Sequence, residues 1–104
     1  MLIDDIRNLL AAPSPSEAEP FLDRVDAALT EGYAHALQLE AERWRIERRI
    51  AEIVAELAAE TDQRRTSELA ALARRRTTAD EHIAALRTLL ALLRDRRSAL
   101  RDAA

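Results

Sequence analysis

Residues 57–69 read LAAETDQRRTSEL, and this stretch decides the fold. Between Leu57 and Leu69 there is no large apolar side chain, yet a regular apolar pattern leads up to it and another leaves it. The first seam is Leu22, Val25, Leu29, Gly32, Ala36, Leu39, Arg43, Ile46, Ile50, Ile53 and Leu57. The second is Leu69, Leu72, Arg76, Ala79, Ile83, Leu86, Leu90, Leu93, Arg97 and Leu100. Steps of three and four alternate, which places each set along one side of an α-helix and lets it pack against another helix. The step from Leu57 to Leu69 fits neither a heptad nor an eleven-residue repeat, so the phase breaks across a polar gap. Such a break predicts a reversal between two helices. The alternative, one continuous rod, needs a single phase throughout.

Composition supports long helices and narrows the chemistry. Charged residues make up 34% of the 104, aromatics 3%, and there is one glycine, a balance suited to helices rather than strands. All 16 basic residues are arginine, which coding bias in a GC-rich genome explains. A net charge of −3 provides no field to attract nucleic acid. The absence of cysteine removes disulfides, thiolate catalysis and Cys-ligated zinc. The N-terminus has no basic segment followed by a long apolar run, and no run approaches the ~20 residues that cross a bilayer. A cytoplasmic protein is expected.

The chain divides into three parts. Residues 1–12 read as a short amphipathic helix, with Leu2, Ile3, Ile6, Leu9 and Leu10 on one side. Residues 13–20 read as a Pro/Ser-rich linker and helix cap: Pro13 and Pro15 break the helix, and Ser16 with Glu19 forms a capping-box pattern. Residues 21–104 hold the hairpin, its helices expected at about 16–60 and 67–101, with Thr66 or Ser67 capping the second. Gly32 lies on the first seam, at a cost of about 1 kcal/mol relative to alanine. It either marks a kink near Thr30 to Gly32 or lets a neighbouring helix approach closely, and the small Ala34 and Ala36 nearby favour close approach.

Setting Leu57 against Leu69 makes antiparallel partners sum to about 126. Asp26 with Arg101 and Glu40 with Arg87 are then complementary, whereas Arg49 with Arg75 and Glu47 with Asp80 carry like charges. Exposed pairs are worth at most ~1 kcal/mol each, so in this register the charges favour neither outcome.

Two helices leave apolar surface over. Tyr33, Leu37, Ala41 and Trp44 form a second stripe on the first helix, and Leu89 and Leu92 widen the second. A homodimer of hairpins, giving a four-helix bundle, is the simplest cover; another protein is the next. Tyr33, Leu37 and Trp44 are the candidate partner-binding residues, Trp and Tyr being types enriched at binding hot spots.

Arginines crowd two stretches, and Arg43, Arg48, Arg49, Arg74, Arg75 and Arg76 form a candidate anion site for a phosphorylated small molecule. The competing reading is a solvated face laced with ion pairs. Arg43 and Arg76 interrupt the seams, so each must reach solvent, pair with a carboxylate such as Glu47 or Asp80, or meet a ligand. His35 and His82 lack helical metal-ligand spacing, and no phosphate loop or nucleophile motif is present. No catalytic residue, cofactor or metal is expected.

The chain resembles, in general terms, small helical hairpins from GC-rich bacteria. The spaced Glu, Ser, Arg, Gln and Asp pattern of anti-sigma hairpins that bind cyclic di-GMP is not matched, because Leu72 follows Glu68 where serine is needed. The sequence therefore predicts an all-α coiled-coil hairpin acting as a non-enzymatic adaptor or regulatory module. An anion sensor is the alternative.

Overall fold

The computed structural model describes residues 1–12 and 18–103. These form three helices, α1 (Leu2–Ala11), α2 (Ala18–Ala59) and α3 (Gln63–Ala103), and no strand. The architecture is the antiparallel helical hairpin that the two seams predict, preceded by a short amphipathic helix. Of the linker and cap expected at residues 13–20, residues 13–17, with the Ser16 cap, lie outside the described residues, and Ala18 to Pro20 already belong to α2. No helix among those described is long and apolar enough to cross a membrane.

The reversal is tighter and earlier than the sequence suggested. Only Glu60, Thr61 and Asp62 separate the long helices, and α3 begins at Gln63 rather than near residue 67. Asp62 starts it. Its Oδ1 accepts a hydrogen bond from the Arg64 amide at 2.9 Å, and its carbonyl accepts from the amide and hydroxyl of Thr66 at 3.0 and 3.1 Å. Asp62 is thus the helix cap, not Thr66 or Ser67. Arg65 ties the turn to α2 through Glu56, 3.0 Å from its Nε. No described residue has a positive φ, so the reversal needs neither glycine nor proline. Asp62→Ala is expected to lower stability by about 1 kcal/mol, the usual worth of an N-cap, measured as a lower urea midpoint.

The chain forms two compact units. The first comprises Met1–Leu37 with Ala84–Ala104, the second Gln38–Ile83. In the first, Phe21, Val25, Ala28, Leu29 and Ala36 of α2 are buried, as are Leu86, Leu90 and Leu93 of α3 and Ile6 of α1. Gly32 backs directly onto Leu90: a β-carbon built there would collide with the Leu90 Cδ2 methyl. Glycine therefore serves close approach, and α2 runs through it without a break.

That contact corrects the register. Gly32 against Leu90 makes partner numbers sum to 122, about one helical turn from the expected 126. In the 122 register, seam positions from Leu22 to Ala36 fall opposite seam positions from Leu86 to Leu100. The short turn is the physical cause, since a reversal centred on Thr61 leaves no room for Leu57 to face Leu69. The charges agree. Arg97 pairs with Asp26, where the earlier register offered Arg101.

The second unit has a thinner core. Ile46, Ile53 and Leu72 are buried together, with Ile50, Leu57 and Leu69 packed against them. Ion pairs line its sides. Arg49 holds Glu68 with a two-pronged contact, Nε to Oε1 at 3.0 Å and Nη2 to Oε2 at 3.3 Å, and its Nη1 lies 3.2 Å from Glu52. The bond to Glu68, then that to Glu52, raises the Arg49 pKa further above its already high value. Arg49 and Arg75 line one groove, but each stands beside a carboxylate, Glu68 for Arg49 and Glu42, 4.0 Å away, for Arg75.

Candidate functional site

The helical pattern that buries the seams also sets aside particular side chains. In the first unit, Tyr33 and Leu37 stand one helical turn apart on α2 and are 41% and 66% exposed. In the second, Trp44 is 60% exposed, and the Arg48 guanidinium carbon lies 5.2 Å from the centre of its ring. A cation over an indole is attracted by the ring's quadrupole, worth about 0.5–1 kcal/mol at an exposed site. Val54 in the second unit and Leu92 in the first are also about half exposed.

The arginines divide by their neighbours. Arg43 Nε lies 2.7 Å from Asp80 and 3.3 Å from Glu47. Its N–H is aligned on neither carboxylate, so the attraction is electrostatic rather than a formed hydrogen bond. These are the carboxylates the sequence offered for a seam arginine. Arg49 is flanked by Glu52, Glu56 and Glu68 and stays partly open to solvent. Arg76, although on the seam, is exposed. Arg74 and Arg75 line a groove of about 480 Å³ with Thr78, His82, Glu42 and the apolar Leu39 and Ile46. The six candidate arginines thus share one unit but not one cavity, and carboxylates stand beside Arg43 and Arg49. His35 and His82 are both exposed.

A third constellation, in the first unit, escaped the sequence reading. Phe21, the one phenylalanine, is buried, with the guanidinium carbons of Arg24 and Arg96 at 5.3 and 5.5 Å from its ring centre. Arg96 also donates from Nη2 to the carbonyl of Ala12, the residue that ends α1. Because the last turn of α1 has no basic residue, α3 supplies the cation that the negative end of a helix favours. Beside these groups a groove of about 420 Å³ runs between α1 and α2, lined by Leu2, Asp5, Leu9, Phe21, Arg24 and Ala28 among others. Phe21 lies off the seam by helical position, so heptad spacing alone gave no reason to single it out.

No protein-family model matches this chain, and neither a curated protein nor a solved structure matches it.

Proposed function

We propose that the chain is a non-enzymatic helical interaction module, an adaptor or regulatory hairpin, and that its first partner is a second copy of itself. The partner-binding residues are Tyr33 and Leu37 in the first unit and Trp44 in the second. One observation carries the reading: Trp44, a large apolar side chain, is held in solvent with Arg48 against its ring. Trp and Arg are the residue types that most often dominate binding energy at an interface. Pairing of two hairpins would cover such groups in a four-helix bundle. The alternative, a sensor of a phosphorylated anion, is the weaker reading. Arg43 and Arg49 already face carboxylates, and an incoming phosphate would have to compete with them.

Trp44 is the single tryptophan, so its fluorescence reports on this surface alone. Acrylamide quenching should fall as protein concentration rises from micromolar to submillimolar, because association shields the ring. Trp44→Ala should weaken self-association about 30-fold, the counterpart of a ~2 kcal/mol hot spot. The check is sedimentation velocity. Unchanged quenching together with concentration-independent sedimentation would refute self-association through Trp44.

A further inference from the structure

α1 is too short to hold itself. Its ten residues fall below the roughly 12–15 at which isolated helices persist in water. Met1 caps it without a side-chain hydrogen bond. Its stability comes instead from the rest of the first unit. Ile6 is buried outright, and Leu2, Ile3, Leu9 and Leu10 are half-buried. The terminal carbonyl of Ala12 is received by Arg96. The seat therefore has three parts: an apolar floor including Ala28, an aromatic group in Phe21, and an arginine reserved for the end of a helix. Arg24 lines the same groove as Asp5, which suits a helix with acidic residues in its first turn.

From these groups we infer that the face formed by Phe21, Ala28 and Arg96 is a receptor for a short amphipathic helix of another protein, and that α1 occupies it as a built-in competitor. The occupant seen in the structure specifies what fits. The partner helix carries a large aliphatic residue in the place of Ile6 and acidic residues in its first turn. It has no cation in its last turn, because Arg96 supplies one. This surface is separate from Trp44 and does not depend on self-association.

The test uses the full chain with Ile6→Glu, which should unseat α1, and a fluorescent, C-terminally amidated peptide of residues 1–12. Anisotropy should show the peptide binding the variant. Wild type should bind it on the order of tenfold more weakly or worse, because the tethered α1 competes at an effective concentration of roughly millimolar. Adding Arg96→Ala to the variant should weaken binding about tenfold, through loss of a charge-assisted hydrogen bond. A peptide that itself carries Ile6→Glu should not bind. The inference is overturned if the peptide ignores an Ile6→Glu chain whose circular dichroism matches wild type. It is equally overturned if wild type binds as tightly as the variant. Should Ile6→Glu not fold, hydrogen exchange on wild type decides: α1 amides should exchange roughly 100-fold faster than those around Val25, as expected of a locally opening element. Equal protection would show a permanent part of the core.

Discussion

Ile53→Ala is expected to lower stability by about 3 kcal/mol, while Val54→Ala beside it should cost less than about 0.5 kcal/mol. Ile53 is completely buried and Val54 is 51% exposed, although they are chain neighbours of nearly equal hydrophobicity. Ile53 belongs to a cluster with only two other buried members, Ile46 and Leu72. In so thin a core, little surrounding mass can relax into the space left by the deleted atoms, so the cavity cost adds to the lost transfer energy. The contrast is read from urea midpoints at unchanged denaturant slope. Equal costs, or the reverse order, would mean that α2 presents a different face to α3.

The second large effect is expected at Gly32, where helix propensity and packing oppose each other. Alanine in place of glycine within a helix gains about 1 kcal/mol. Here the added methyl meets Leu90, which is itself 2% exposed and has little room to move. Overpacking of this kind costs about 1–3 kcal/mol, so Gly32→Ala should be destabilising by about 1 kcal/mol net. Gly32→Leu should cost about 3 kcal/mol or more, since a whole side chain must be placed against Leu90. The decisive comparison is in a Leu90→Ala background. With the obstructing methyls removed, Gly32→Ala should become stabilising by up to about 1 kcal/mol. A sign reversal across this double-mutant cycle identifies the contact directly; additivity would place Leu90 elsewhere.

The hairpin was legible because burial on a helix has a period, and the seam positions carry it without help from tertiary detail. Every seam position, from Leu22 to Leu57 and from Leu69 to Leu100, is buried or partly buried apart from Arg76. The register was not legible by the route taken, because it was anchored on Leu57 and Leu69, the residues nearest a turn whose length was unknown. Asp62 was the missing signal. Once it is recognised as a cap, the turn shortens to three residues and partner numbers sum to 122 rather than 126. The charges contain the same information. Read at 126 they set Arg49 against Arg75, whereas in the fold Arg49 meets Glu68, Arg43 meets Asp80 and Asp26 meets Arg97.

The candidate sites were legible to different degrees for equally physical reasons. Exposure of Trp44 follows from its helical position off the seam, and Arg48, four residues on, is the neighbour that helix geometry provides. The pairing of Arg43 with Glu47 or Asp80 was legible because a charge on a seam requires a partner. The grouping of Phe21, Arg24 and Arg96 was not. It depends on where α1 packs, and a ten-residue amphipathic helix carries no information in its own sequence about which neighbour it covers.

A native mass spectrum of the gently purified protein tests the proposed function most directly, because it reports assembly and retained ligand together. The account predicts a dimer whose mass is that of two chains and nothing more, and loss of that dimer in Trp44→Ala. A wild-type monomer at the concentrations where quenching is measured would contradict the self-associating module. Extra mass matching a phosphorylated small molecule would contradict it in favour of the anion sensor.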